Sequence, residues 1–199
     1  MVEDLGGEVD QIWSAVRTHL PVQSLGTLRY CRIDAQGFYE ATRERALRCG
    51  ATWIPEAVTP DGDGLRTASG AQHSARRVFC SIPPRFEPHD ASDVFLLQSF
   101  VGTKVRLISG GSAEHRFNPS EFTMMDFGVP QGGSTRFMYT LPYSETEALV
   151  ELTQFGPAPL PHQEGLSEIA TYMDSTFPGC NYDVLETETG AIPMTSIQP

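Results

Sequence analysis

The sequence predicts an α+β fold built around an antiparallel sheet. Five short runs in the second half are rich in β-branched and aromatic residues and are separated by turn-forming residues. Gly and Pro number 18 and 15 among 199 residues, a turn-rich composition that stops short of low complexity. Helical spacing is confined to three segments. With 40% hydrophobic residues the chain can bury a core, which excludes disorder as a description of the whole. The net charge of −11 and the absence of a Lys/Arg-rich run exclude a phosphate-neutralising face, so no nucleic acid is expected as a partner.

The elements follow in order. Val9, Ile12, Trp13, Val16 and Leu20 sit at helical spacing before Pro21, which predicts an amphipathic helix from about residue 8. Leu28 to Ile33 alternates like a strand. A second helix is expected over about 37–49, with Asp34 as cap, Phe38, Ala41, Ala46 and Leu47 facing inward, and Gly50 just past its end. Ala51-Thr52-Trp53-Ile54 follows, then Pro60-Asp61-Gly62-Asp63-Gly64, strong turn chemistry between two short strands. Another short strand is expected over Ala75 to Ser81.

Strands are expected in the second half at Val94 to Ser99, Lys104 to Ile108, Phe122 to Phe127, Arg136 to Leu141 and Ala148 to Phe155. Gly110-Gly111 and Gly132-Gly133 read as hairpin turns. Gly165 to Phe177 reads as a helix with Leu166, Ile169, Ala170 and Met173 on one face, ended by Pro178-Gly179. Asp183 to Glu188 returns as a strand before Ile192-Pro193-Met194-Thr195.

Met1-Val2-Glu3-Asp4 lacks the basic and apolar regions of a signal peptide, and no run approaches 18 apolar residues, so a cytoplasmic protein is expected. Cys31, Cys49, Cys80 and Cys180 form no Cys-x-x-Cys pair and read as reduced thiols. The histidines His19, His73, His89, His115 and His162 show no metal-ligand spacing. Neither a Gly-x-Ser-x-Gly elbow nor a Gly-x-Gly-x-x-Gly turn after a strand is present.

Two acids stand inside apolar strands. Glu151 in Ala148-Leu149-Val150-Glu151-Leu152-Thr153 shares a face with Leu149 and Thr153, away from Val150 and Leu152. It reads either as an edge carboxylate in water or as a carboxyl held against apolar surface, where desolvation keeps an acid protonated near neutral pH. Asp126 in Thr123-Met124-Met125-Asp126-Phe127 carries the same two readings.

The order and spacing of several segments resemble the lycopene cyclase family. They are Leu97-Gln98-Ser99-Phe100-Val101-Gly102, Phe117-Asn118-Pro119 with Met124-Met125-Asp126-Phe127, Phe137 to Ser144, Ala148 to Thr153, and Glu186 to Thr195. The first hundred residues resemble it through Tyr30, Ile33 and the stretch Val78-Phe79-Cys80-Ser81. The resemblance implies a flavoprotein fold of the p-hydroxybenzoate hydroxylase type with an incomplete dinucleotide-binding domain. Residues 1–90 would be a partial FAD-domain-like α/β segment, and residues 91–199 an antiparallel substrate-binding sheet with one helix. It implies a redox-neutral reaction in which a carboxylic acid protonates the terminal double bond of a linear carotenoid such as lycopene, and the cation closes a six-membered ring before losing a proton. Reduced FAD would stabilise the cationic states. The acid of the family's motif falls on Glu151, Asp126 takes a supporting role, and Glu188 with Ile192, Pro193 and Met194 falls near the flavin.

The sequence departs from the family pattern at Gly128, where Arg is usual, and at Leu152, where a second acid is usual. Thr103 stands in place of an aromatic residue, and Cys80-Ser81-Ile82 in place of an Asp-Ser-Arg-like triplet. Because the glycine-rich phosphate turn is missing, the chain is expected to correspond to the middle of a larger cyclase. The alternatives are a truncated, non-catalytic domain that binds an apolar isoprenoid or a partner chain, and another flavin-dependent enzyme of the same fold. A membrane-dissolved substrate further implies peripheral membrane contact through an apolar patch.

Overall fold

The computed structural model describes residues 9–18, 21–62, 64–81, 92–108 and 116–197. Leu20, Asp63, Ile82, Gly110-Gly111 and the histidines His19, His89 and His115 lie outside the described residues. The chain divides into two compact units, Met1–Ile33 with Glu87–Gln198, and Asp34–Phe86.

The expected N-terminal helix is instead two strands, β1 (Val9–Trp13) and β2 (Ala15–Arg17). Val9, Ile12, Trp13 and Val16 of the helically spaced set are β-branched or aromatic, and burial along β1 alternates with period two up to Trp13. Long-range contacts decide the outcome. Trp13 is wholly buried, its ring 5.7 Å from Tyr30 and 5.8 Å from Phe122, and its indole N–H donates to the Pro142 carbonyl at 2.9 Å. A short β3 (Gln23–Ser24) pairs with β2, and β4 (Tyr30–Ile33) pairs with β1 so that Tyr30 stands opposite Trp13.

In the smaller unit α1 (Ala35–Arg48) begins as expected. The Asp34 carboxylate accepts the Gly37 N–H at 2.7 Å, and Gly50 follows the helix with φ of 86°. The expected inward set is not buried; no residue of α1 is. The unit's sheet is a three-stranded meander of β5 (Val58–Asp61), β6 (Gly64–Thr67) and β7 (Gln72–Ser74), too small to cover a helix face. The two strands around Gly62 are thus β5 and β6, and Ala51 to Ile54 joins neither. No strand forms over Ala75 to Ser81, because Ser74 already stands opposite Gly64, the first residue of β6, and the ladder ends there. Phe79 is 91% exposed.

The larger unit holds the main sheet. Its other strands are β8 (Phe95–Leu107), β9 (Glu121–Asp126), β10 (Thr135–Pro142), β11 (Glu147–Gly156) and β12 (Tyr182–Thr195), in spatial order β12-β8-β11-β10-β9-β2-β3. All pairs are antiparallel except β2 with β9. The two strands expected over Val94 to Ser99 and Lys104 to Ile108 are one, running straight through Gly102, and the strand expected over Asp183 to Glu188 continues as β12 to Thr195. Gly132 and Gly133 turn the chain into β10 with φ of 57° and 83°.

Helix α2 (His162–Thr176) covers one face of this sheet. Val101, Val105, Met138, Val150 and Leu152 pack there with Ile169 and Met173. The helix approaches β8 most closely at Gly165, where a Cβ would lie 2.5 Å from Val101 Cγ2 and 2.6 Å from Val101 Cβ. Gly165→Ala should therefore destabilise by about 1–2 kcal/mol, since overpacking outweighs the roughly 1 kcal/mol gain in helix propensity. Adding Val101→Ala should recover part of the loss. Urea unfolding of the two variants checks this, and a more stable Gly165→Ala single variant would contradict it.

Candidate active site

Because Val150 and Leu152 face α2, Leu149, Glu151 and Thr153 face the opposite side of the sheet. Cross-strand register aligns Glu188 of β12, Gly102 of β8, Glu151 of β11 and Tyr139 of β10 in one row across that side. Glu151 is partly buried, and Thr153 Oγ1 donates to its Oε1 at 2.8 Å. Burial is the main influence raising its pKa; the Thr153 hydrogen bond opposes the rise and the nearby Glu188 carboxylate adds to it. Burial also raises the Tyr139 hydroxyl, and the charges of Tyr30 and Glu151 add to it.

Glu188 has no side chain between itself and β11. A Cβ on Gly102 would lie 3.1 Å from Glu188 Cγ, 3.2 Å from its Oε1 and 3.3 Å from Leu149 Cδ1, so the Glu188 side chain lies across β8. Beside it a cavity of about 190 Å³ is lined by Arg32, Lys104, Tyr143, Leu149, Glu186 and Glu188. The Arg32 guanidinium and the Lys104 ammonium lie 5.1 and 5.4 Å from the centroid of the Tyr143 ring. Lys104 also approaches Glu147 at 3.9 Å, while Arg32 pairs with Asp10. Further along β12, Ile192 and Met194 are exposed opposite Gln98 and Leu96, with Pro193 between them.

Asp126 does not join this row. Between Thr140 and Met138 of β10, one residue apart from adjacency, β9 spends three steps, from Thr123 to Asp126, and Met125 takes a φ of 52°. This bulge turns Asp126 toward α2, where its Oδ2 accepts the Tyr172 hydroxyl at 3.0 Å and its Oδ1 accepts the Gly128 N–H at 2.9 Å. Gly128, where the family pattern has Arg, brings its backbone to that carboxylate. Asp126, Thr123, Thr140 and Tyr172 line a second cavity, of about 350 Å³.

Burial, with the charge and hydrogen bond of Asp126, pushes Tyr172 up to about 12. A tyrosine held protonated in the fold contributes stability that is complete below the unfolded value near 10 and is lost as pH rises toward 12. Tyr172→Phe should flatten that alkaline limb by the equivalent of about one proton. Urea unfolding from pH 9 to 12 checks this; an unchanged slope would contradict it.

Sequence patterning singled out Glu151 and the family resemblance singled out Glu188, but neither gave their alignment, which depends on the strand order β12-β8-β11. It missed Gly102, Tyr139, Tyr143, Lys104 and Arg32. Only Gly102 carried a signal, as a lone glycine between two strand-like runs. Among the described residues no cluster of His, Cys, Asp and Glu could hold a metal, and no helix is long and apolar enough to cross a membrane.

An antiparallel sheet with one helix-covered face and one carboxylate-bearing face defines a mixed α+β domain that recurs in solved structures. A geranylgeranyl bacteriochlorophyll reductase-like protein from Thermoplasma acidophilum aligns with a TM-score of 0.54 and 10% identity, over 92% of this chain and 50% of its own. The chain thus spans about half the length of that structure. No curated protein matches the sequence. The family model described as Lycopene cyclase protein matches residues 2–199, and the chain belongs to that family.

Proposed function

We propose that the protein acts in acid-catalysed, redox-neutral cyclisation of a linear carotenoid end group such as that of lycopene, with Glu151 as the proton donor. The observation that carries this reading is the partly buried Glu151 carboxyl, shifted toward its protonated form, on the sheet face opposite α2. Protonating an alkene needs a strong local acid that is neutral when the substrate arrives, and desolvation supplies that state. Tyr139 and Leu149 border Glu151 with ring and aliphatic surface suited to a polyene. Asp126, hydrogen-bonded beneath α2, is assigned a structural role.

The family resemblance brings reduced FAD to this reading. The described residues do not make its site by themselves: no glycine-rich turn from strand to helix is among them, and Ile192, Pro193 and Met194 lie along β12 at the edge of the sheet. No step proposed here passes through the flavin. Conversion of lycopene to a cyclic carotene, and its loss in Glu151→Gln, tests the assignment.

A second reading, a non-catalytic domain that binds an apolar isoprenoid, is favoured by Gly128 and Leu152, which stand where the family pattern carries Arg and a second acid. Stoichiometric binding of lycopene without turnover, in the presence of reduced FAD, would support it. Either reading includes peripheral membrane contact, supported by the exposed Val184, Leu185, Ile192 and Met194 of β12. Liposome flotation should persist at high salt, because the contact is apolar; release by salt would contradict it.

A further inference from the structure

We propose that Glu188 is a positioning residue that keeps the proton on Glu151, and that Gly102 is the gap in β8 through which it acts. The inference rests on the reading of Glu151 as the acid. Strands two apart in a sheet are separated by about 10 Å, too far for two glutamates to sense each other closely across an intervening side chain. Here the intervening residue is glycine, and Glu188 Cγ and Oε1 lie 3.1 and 3.2 Å from where its Cβ would stand, closer than a side chain there would comfortably allow. A negative charge laid over β8 opposes a second negative charge on Glu151, which favours the protonated form of the latter.

The other charged or titratable groups on this side do not supply the same effect. Lys104 of β8 is engaged with Tyr143 and Glu147. Arg32 of β4 pairs with Asp10 and lies against Tyr143. Tyr139 of β10 is neutral at physiological pH. Glu186 of β12 stands one row further away, opposite Lys104. Glu188 is itself exposed, so the carboxylate that acts on Glu151 is one in contact with water.

Titration of the Glu151 carboxyl in the 199-residue chain, followed by carbon-13 NMR with Glu151→Gln to assign the signal, tests the coupling without any assay of activity. Glu188→Gln should move the Glu151 midpoint down by about 0.5–1 pH unit. Gly102→Ala should move it the same way by displacing the Glu188 side chain, whereas Glu186→Gln should move it much less. Glu188 is exposed, so its variant keeps the fold if Gly102→Ala does not. A midpoint that stays put or rises in Glu188→Gln overturns the proposal. If the midpoint falls but Glu151→Gln still cyclises lycopene, the coupling stands and the catalytic reading of Glu151 fails.

Discussion

Glu151→Gln should reduce formation of cyclic carotene from lycopene by about 10²–10⁴-fold, the range that a positioned general acid contributes. Glutamine keeps the shape and can still accept the Thr153 hydroxyl seen at 2.8 Å, but it has no proton acidic enough for an alkene. The loss should therefore appear in turnover, with polyene binding retained. The fold should not suffer. Because the folded state raises the Glu151 pKa, the stability this contributes is complete below the unfolded carboxyl value and is lost as pH rises through the folded one, and Gln removes that pH dependence. Turnover within tenfold of the unsubstituted protein would remove Glu151 from the mechanism.

The opposite result is expected one residue further along the strand. Leu152→Ala should destabilise the fold by about 2–5 kcal/mol, the range for emptying a leucine-sized space in a packed core. Leu152 is 1% exposed and clusters with Val101, Met138 and Ile169. The midpoint of urea unfolding should fall with little change in slope; a loss under about 1 kcal/mol would show that the site collapses to fill the cavity. The same burial explains the departure from the family pattern here. An acid at position 152 would point beneath α2, away from Glu151, and would lose its hydration without gaining access to the face proposed for substrate.

The strands and helix nearest the candidate site were legible in the sequence. Arg136 to Leu141, Ala148 to Phe155 and Gly165 to Phe177 carry their periodicities openly, and β10, β11 and α2 form there within a few residues of the expected bounds. Asp34 and Gly50 marked the ends of α1 because capping is a local interaction. What failed depends on partners distant in sequence. Val9 to Val16 fits a helical face equally well on paper, but Trp13 finds Phe122 and the Pro142 carbonyl more than 100 residues away. The inward set of α1 fits its template, yet the three-stranded meander among the described residues of its unit leaves all of it unburied.

The site divides along the same line. Glu151 could be placed on a face by alternation alone, because β11 pairs with both neighbours without interruption. Asp126 could not, since local pattern does not show which residue of β9 will bulge. The row from Glu188 to Tyr139 is a product of strand order, and four segments separated by up to 86 positions contribute one residue each.

The bulge at Met125 makes the register of β9 a chemical variable. Were β9 to pair evenly with β10 from Thr123 onward at its full length, Asp126 would stand opposite Phe137, on the other side of the sheet with β10 between it and Glu151. Tyr172 would lose its acceptor in the same event. The bulge therefore decides which face carries the acid, and a chain that lost the extra residue together with the bulge would keep Asp126 opposite Met138, on the face it holds now.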